Sequence, residues 1–306
     1  MTDSTPKLLV VGGHGFIGRH VVAHAVGLGW SVTDLSLNPV ADTASGVRHV
    51  AADGAQAGAL AHALGATDFD YVVNCGGYID HTAFSQGGRK VFDVHLHSVM
   101  NLAEILKRDT LRAFVNIGSS DEYGGNPAPQ SEEQRESPIS PYSAGKAAAT
   151  QFLQMLHRTE SFPASTLRLF LTYGPGQDAR RFLPQLILGC LRDVEFPVSA
   201  GEQLRDFCHV QDVVLAIFAA FTKPAAAGEV INIASGQPVS IRHVIETVTR
   251  LVGRGRPQFG RIAYRRGENM ALYANVAKAA AVLSWQPAIG LEAGLTDVIR
   301  SFRSAP

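Results

Sequence analysis

Tyr142 and Lys146 are the pair of side chains whose types and spacing best fit chemistry in this sequence. They lie four residues apart in P-Y-S-A-G-K at 141–146, so on a helix they share one face. An ammonium group beside a phenol favours the phenolate and lowers the phenol pKa from about 10 towards neutral pH. Such a phenol can exchange a proton with an alcohol or a ketone. Because Tyr-x-x-x-Lys also occurs on solvated helix faces, this interpretation depends on neighbouring features.

Ser119 is the first of these features. It directly follows a predicted strand at 113–118, at the carboxyl edge where open α/β sheets bind their ligands. A hydroxyl group at this edge can hydrogen-bond the same substrate oxygen as Tyr142.

A glycine-rich segment, V-G-G-H-G-F-I-G at 11–18, lies between the first predicted strand and the first predicted helix. Glycines with this spacing allow a tight turn, close approach of a pyrophosphate and packing of helix on strand, while the helix N-terminus faces the anion. The segment therefore predicts a dinucleotide site, the alternative being a purely structural turn. The predicted cofactor-binding residues here are Gly12, Gly15, Phe16, Ile17 and Gly18. Asp53, just past the third predicted strand, is placed to meet the adenine or is simply an exposed loop residue.

The elements that must position these residues alternate between short apolar strands and helices. This pattern predicts an α/β fold, a Rossmann-type doubly wound parallel sheet with a smaller α/β substrate-binding lobe. We assign residues 1–170 and 206–235 to the NAD(P)-binding domain, and 171–205 and 236–306 to the smaller lobe. The predicted strands are 7–11, 31–36, 47–52, 71–74, 113–118 and 165–171, with a further buried strand at 229–233. The predicted helices include 92–108, 142–159, 182–191, 210–221, 241–252 and 291–302.

Composition excludes several classes of protein. Among 306 residues, 46% are hydrophobic and Lys plus Arg equals Asp plus Glu at 27 each, so no overall field favours nucleic acid or an anionic membrane. No secretion signal opens the chain, and no apolar run approaches the ~20 residues of a membrane span. We expect a soluble cytoplasmic protein. Its three scattered cysteines indicate neither disulfides nor a zinc site, and we expect no metal.

Taken together, the motifs resemble the extended short-chain dehydrogenase/reductase family of NAD(P)-dependent sugar epimerases, dehydratases and ketoreductases. The resemblance covers essentially the whole chain. It rests on G-G-H-G-F-I-G at 12–18, G-S-S-D-E-Y-G at 118–124, P-Y-S-A-G-K at 141–146, L-R-L-F-L-T-Y-G-P-G-Q at 167–177, R-D-F-C-H-V-Q-D-V at 205–213 and R-R-G-E at 265–268.

The resemblance implies roles for individual residues. Ser119, Tyr142 and Lys146 would form the catalytic triad, and the substrate would be a nucleoside diphosphate sugar that is oxidised or reduced at C4. Arg205 and Arg265 match family arginines that hold the diphosphate, a task suited to planar guanidinium groups; a structural salt bridge is the alternative for each. Ser120, Asp121 and Arg181 complete the predicted substrate-binding set, and a homodimer is expected.

The sequence also departs from the family pattern. His95 stands where the family usually has Asn, and N-C-G-G at 74–77 replaces an expected Ala-Ala. Ser120 and Asp121 stand where 4,6-dehydratases carry an Asp-Glu acid-base pair. Asp121 and Glu122 could form a shifted pair, but neighbours on an extended segment face opposite ways, which disfavours dehydration.

The predicted cofactor is NADP(H) or NAD(H), with NADP(H) slightly favoured. Alignment with the family puts Ser36, rather than an acid, at the end of the second strand, where NAD enzymes bind the ribose 2′-hydroxyl. Asp34 lies roughly 6.5 Å back along the strand and is not expected to reach the ribose. His14 and Asn38 are possible further contacts.

Three functions remain open on the sequence alone. The segments 199–207 and 259–270 look most like bacterial 4-ketoreductases of deoxysugar biosynthesis, which ranks a nucleotide-sugar 4-ketoreductase first. An NAD-dependent nucleotide-sugar 4-epimerase ranks second. A non-catalytic NAD(P)-sensing protein ranks last, because such a protein would not need Ser119, Tyr142 and Lys146 together.

Overall fold

A computed structural model describes residues 5–39, 46–264 and 267–304 of the chain. Strands and helices alternate through its first half. The strands are β1 (Lys7–Val11), β2 (Ser31–Ser36), β3 (Val47–Ala51), β4 (Tyr71–Asn74), β5 (Ala113–Ser119), β6 (Ala164–Leu169), β7 (Leu171–Tyr173), β8 (Glu195–Pro197), β9 (Leu204–His209), β10 (Val230–Ile233), β11 (Pro238–Ser240), β12 (Arg256–Gln258) and β13 (Ala271–Leu272). The helices are α1 (Phe16–Gly27), α2 (Ala57–Leu64), α3 (Arg89–Ile105), α4 (Pro141–Glu160), α5 (Phe182–Leu191), α6 (Val210–Thr222), α7 (Ile241–Val252), α8 (Ala277–Leu283) and α9 (Leu291–Arg303).

Seven strands form one parallel sheet in the order β10-β6-β5-β4-β1-β2-β3. Alternate residues of β1 serve opposite faces, as the two-residue period of a strand requires. Leu8 and Val10 pack with α1, α6 and α8, whereas Leu9 and Val11 pack with α2, α3 and α4. The doubly wound α/β fold predicted from the sequence is confirmed.

A smaller assembly follows β6 in the chain. Strands β7, β9, β11 and β13 form a four-stranded sheet, and β8 pairs with β12. Helices α5, α7 and α9 bury their apolar faces in a separate core that includes Leu186, Val244 and Leu295. The connections from β6 to β7 and from β9 to α6 join this core to the main sheet at its carboxyl edge.

We keep the division of the chain into two interleaved lobes as a proposal. The return of 206–235 to the main sheet supports it, since α6 packs on that sheet and β10 pairs with β6. Helix α8 departs from it. This helix lies within 236–306, yet its Ala279 and Leu283 pack in the core of the main sheet.

Most predicted elements occur with shifts of a few residues at their ends. The predicted strand 165–171 is an exception, because it divides into β6 and β7, which lie in different sheets. The clearest shift is in α3, which begins at Arg89 rather than at 92 and ends at Ile105 because Leu106 is extended. The start of the motif at 205–213, for which no strand is predicted, lies in strand β9. Over the ranges that the structure covers, no helix is long and apolar enough for a bilayer crossing.

Candidate active site

Tyr142 and Lys146 lie in the first two turns of α4, where a strong N-terminal cap starts the helix. Ser140 accepts a hydrogen bond from the backbone N–H of Ser143 at 3.1 Å, and Pro141 occupies the first turn. Proline is favoured there because its missing N–H would have no helical partner. Both functional side chains are buried, at 5% and 6% exposure. The predicted shared face is therefore turned inward, towards the carboxyl edge of the sheet.

Lys146 is held by β5, the strand that ends at Ser119. Its ammonium group donates a hydrogen bond to the carbonyl oxygen of Ile117 in β5 at 2.7 Å. Burial lowers the Lys146 pKa to about 8, with the carboxylate of Glu122 opposing this effect. The lysine is thus close to its titration point near neutral pH.

Tyr142 behaves differently from the sequence prediction. Burial raises the pKa of its phenol, and the hydrogen bond from Ser119 lowers it only partly, while Asp121 and Glu122 raise it further. The prediction that Lys146 brings this pKa down to neutral pH is wrong for this structure, because the loss of hydration is the largest effect on the phenol and the cation that lowers its pKa is Arg181. The phenol remains protonated at neutral pH and can serve as an acid.

Ser119 is the last residue of β5, as the sequence indicated to within one position. A 3-10 turn over Ser120–Tyr123 follows directly. Within it, the Ser119 hydroxyl accepts from the backbone N–H of Asp121 at 3.2 Å. The strand end and the turn together aim this hydroxyl at the phenol of Tyr142.

Glu122 is a site residue that sequence reasoning did not recognise as such. Its Oε1 accepts from the backbone N–H of Ser119 at 2.8 Å, and its Oε2 accepts from Thr150 and from Arg168. Glu122 and Arg168 are both fully buried. The signal available in the sequence was Glu three residues after Ser119, the spacing of a capping box.

The same turn corrects the earlier argument about Asp121 and Glu122. The two residues lie in a 3-10 turn and not on an extended segment. They nevertheless diverge, since Glu122 enters the interior while Asp121 remains partly exposed beside His81, at 3.8 Å. A shared acid-base role at one sugar carbon is incompatible with this arrangement.

The glycine-rich turn has the geometry that a dinucleotide requires. Gly12 has φ of 78°, a left-handed conformation that favours glycine. A Cβ at Gly18 would lie 2.1 Å from the carbonyl oxygen of Gly12, so only glycine allows this contact. Gly15 caps α1, and Phe16 and Ile17 are its first residues. The helix N-terminus is therefore free to face a pyrophosphate.

The ribose end of this site is organised around Asp34. Its carboxylate is buried, at 1% exposure, and its Oδ1 accepts from the backbone N–H of Gly13 at 2.7 Å and from the hydroxyl of Ser36 at 2.9 Å. One oxygen of Asp34 is thus engaged by the protein, and Ser36 ends β2 as the sequence predicted. Asp53 follows β3 and accepts from the backbone N–H of Ala55 at 3.0 Å, so the turn already engages one of its oxygens.

The predicted substrate residues converge in part. Arg181 and Arg205 both interact electrostatically with Asp121, whose pKa burial raises and these arginines lower. Arg205 also donates to Glu268 at 2.5 Å, so the salt bridge considered as its alternative exists. Ser120 is buried at the start of the turn. Arg265 lies outside the described residues.

The two departures from the family pattern meet beside Tyr142. His95 packs edge-on against the phenol ring with centroids 5.1 Å apart, and its Nε2 lies 3.0 Å from the carbonyl oxygen of Tyr78. Burial lowers the His95 pKa to about 3. A Cβ at Gly77 would lie 2.2 Å from this imidazole. Glycine at 77 therefore makes room for histidine at 95.

A strand–glycine turn–helix unit beside a Ser-Tyr-Lys cluster is typical of nicotinamide-dependent enzymes of the Rossmann type. The chain belongs to the NAD dependent epimerase/dehydratase family, whose model matches residues 8–234.

Relatives of known sequence and structure agree with this assignment. An uncharacterized UDP-glucose epimerase of Bacillus subtilis, YtcB, is 29% identical over 72% of this chain and 72% of its own. The dTDP-glucose 4,6-dehydratase of Xanthomonas campestris is 26% identical over 94% of this chain and 90% of its own. The solved structure of MoeE5 with UDP-glucuronic acid and NAD is 29% identical, has a TM-score of 0.85, and matches 97% of this chain and 99% of that one.

Proposed function

We propose that this protein is an NAD(P)-dependent 4-ketoreductase that reduces a 4-keto-(6-deoxy)sugar carried on a nucleoside diphosphate. The observation that supports it most directly is the burial of the Tyr142 phenol beside the hydroxyl of Ser119, which raises the pKa of the phenol and favours its protonated form. A ketone that is being reduced needs a proton donor at its oxygen, and a neutral phenol is such a donor.

The protein residues would divide the work between binding and proton transfer. Reduced nicotinamide, when bound, supplies the hydride that adds to the carbonyl carbon at C4. Tyr142 donates its phenolic proton to the sugar oxygen, and Ser119 hydrogen-bonds the same oxygen. Lys146, held by Ile117, places a positive charge near the phenolate that forms and so stabilises it. Solvent then returns the proton to Tyr142.

The ribose end of the site supports NADP(H) as the favoured cofactor. The carboxylate of Asp34, the acid of β2, has its Oδ1 engaged by Gly13 and Ser36. Without a carboxylate facing the ribose, the repulsion that excludes a 2′-phosphate is removed. A reductase that must release its oxidised cofactor in every turnover suits such a site.

An NAD-dependent nucleotide-sugar 4-epimerase is the second candidate. The relative named as a UDP-glucose epimerase and the NAD-bound structure of MoeE5 favour it. An epimerase oxidises and re-reduces the same carbon, so it recycles NAD and tends to keep it bound. A 4,6-dehydratase ranks lower because Asp121 and Glu122 diverge, and a non-catalytic NAD(P)-sensing protein would not need the triad.

One experiment separates these candidates. Purified protein is incubated with nucleotide-linked 4-keto-6-deoxysugars and with NADPH or NADH, and cofactor oxidation is followed at its absorbance band. Stoichiometric oxidation with formation of the alcohol is expected. Bound NAD released on denaturation, together with interconversion of two 4-epimeric sugars without added cofactor, would replace this proposal by the epimerase. Sedimentation of the same sample tests the proposed homodimer, and the proposed cytoplasmic location is tested by fractionation.

A further inference from the structure

A second cluster of side chains that could bind a ligand lies outside the group of Ser119, Tyr142 and Lys146. It belongs to the part of the main sheet that the first three strands form. It consists of His14 from the glycine-rich turn, Asp34 from β2 and His49 from β3. One ligand atom from each of the three lies within 4.8 Å of the others. We refer to these three residues as the His-Asp-His cluster.

The carboxylate of Asp34 is oriented so that one oxygen is held and the other is presented. Its Oδ1 is fixed by Gly13 and Ser36. Its Oδ2 lies 2.6 Å from the Nδ1 of His14 and 3.1 Å from the Nδ1 of His49. Two imidazole nitrogens therefore lie within 3.1 Å of one buried carboxylate oxygen.

This donor set is one that transition-metal ions prefer. Two imidazole nitrogens and a monodentate carboxylate oxygen supply three of the four positions of a tetrahedral Zn²⁺ ion, with water at the fourth. The hydrogen bonds to Oδ1 provide the outer partners that orient a ligating carboxylate. The carboxylate of Asp34 therefore has one oxygen available to bind the ion and hydrogen-bond partners that hold the other oxygen in place.

We propose that the His-Asp-His cluster binds a zinc ion and that this ion competes with the adenosine end of the dinucleotide. The Nδ1 of His14 also lies 2.9 Å from the hydroxyl of Ser36, the residue at the ribose end of the cofactor site. His14 is the exposed member of the cluster, at 40% side-chain exposure. A metal that fixes His14 on Asp34 thus fixes a side chain at the mouth of the cofactor site.

The sequence offered little sign of this site. His14 and His49 are far apart in the chain. The parallel pairing of β2 with β3 sets Asp34 opposite His49 and so completes the cluster. The glycine-rich turn also lies very close to Asp34, since a Cβ at Gly13 would lie 2.3 Å from the Oδ1 of Asp34. The site depends on main-sheet register and not on a local motif.

The test is direct metal binding to the full chain after treatment with EDTA and gel filtration. Zn²⁺ is titrated by calorimetry, and Co²⁺ is titrated in parallel because its visible absorption reports coordination geometry. The variants are His14→Gln and His49→Gln, with Asp34→Asn as a third. His62→Gln, an exposed histidine of α2 outside the cluster, is the matched control. Circular dichroism of each variant checks folding.

We expect one equivalent of Zn²⁺ bound to the wild type and to His62→Gln, with affinity reduced at least ~10-fold in His14→Gln and in His49→Gln. Equal affinity in the wild type and in both folded cluster variants would overturn the site. Binding of NADPH or NADH, measured with and without Zn²⁺, should weaken in the wild type and in His62→Gln but not in His14→Gln or His49→Gln. Unchanged cofactor binding would overturn the competition. Because no sugar is present, these results are independent of the proposed reductase activity.

Discussion

The side chain of Glu122 accepts a hydrogen bond from the backbone N–H of Ser119 at 2.8 Å, beneath the hydroxyl group of the triad. The same carboxylate is paired with Arg168, and neither residue is exposed. A buried ion pair thus fixes the backbone at the end of β5. The orientation of the triad serine depends on a residue that does not itself face the substrate.

Replacement of Glu122 by Gln should destabilise the fold, because it leaves the Arg168 guanidinium buried with less compensation. The expected loss in free energy of unfolding is ~3–5 kcal/mol, measured by urea denaturation. Glu136 also contacts Arg168, which favours the lower end. Glu160→Gln, which breaks the exposed pair with Arg108, should remain near wild type. Equal stability of both variants would contradict this role.

Tyr142→Phe should lower kcat by ~10²–10⁴ while leaving the fold intact, because it removes the proton donor and little volume. Turnover of a nucleotide-linked 4-keto sugar is the measurement. Tyr71→Phe is the matched control. Tyr71 is the first residue of β4, at the end of the strand opposite to the carboxyl edge, and its ring stacks on Trp30. If Tyr142→Phe retains more than half of wild-type turnover, Tyr142 is not the donor.

Arg205→Ala should weaken substrate binding by ~1.5–3 kcal/mol, the cost of losing a charged hydrogen bond. The effect should appear in KM, with cofactor affinity unchanged. Because Arg205 is paired with Glu268, the double variant with Glu268→Gln tests whether the freed carboxylate repels the diphosphate. Arg250→Ala, which breaks the surface pair with Glu292, is the control. A matching loss of cofactor affinity would show that Arg205 acts structurally.

Ser36→Asp should reverse the cofactor preference from NADPH to NADH. A carboxylate at the end of β2 would hydrogen-bond the ribose 2′-hydroxyl and repel a 2′-phosphate. The dissociation constants of both reduced cofactors, measured for the two proteins, decide the point. A wild-type preference for NADH beyond tenfold, about 1.4 kcal/mol, would reject the proposal and favour the epimerase.

His95 should make the fold sensitive to acid. Its folded-state pKa is lowered from 6.5 to about 3 by burial. Below pH 6.5 the imidazole therefore binds a proton in the unfolded chain but remains neutral in the folded chain. Stability contributed by the neutral ring is therefore complete above pH 6.5 and is lost as pH falls. The expected loss is about 2 kcal/mol at pH 5. His95→Asn should remove this part of the pH dependence in urea titrations, and an unchanged slope would count against it.

Elements with a strong local pattern were predictable from the sequence. Helix α7 occurs with the predicted bounds, Ile241–Val252, because its apolar residues recur on one face. Short strands such as β8 and β12 were not predictable, since three residues carry too little periodicity and each strand is defined by a distant partner. The same holds for β13, which has two residues.

The site divides in a similar way. The spacing of Tyr142 and Lys146 and the glycine triplet were readable because helix and turn geometry are local. Their electrostatics were not, since the Tyr142 pKa depends on burial and the Lys146 ammonium is bound by Ile117. The buried role of Glu122 was not predictable, because nothing local in the sequence shows that Arg168 meets it inside the protein.

Strand β10 joins the main sheet late in the chain, although it lies beside β6. All four of its residues are buried, as are all six of β6. A growing chain that has not yet reached Val230 therefore exposes one side of β6 as an unpaired backbone edge, the kind of surface that recruits strands from other chains. Truncation within the preceding segment should yield aggregates and not a smaller cofactor-binding unit. A chimaera joined to another protein at a single point near residue 170 would likewise separate β10 from β6. The part of the chain after residue 170 therefore cannot be exchanged as an independent unit.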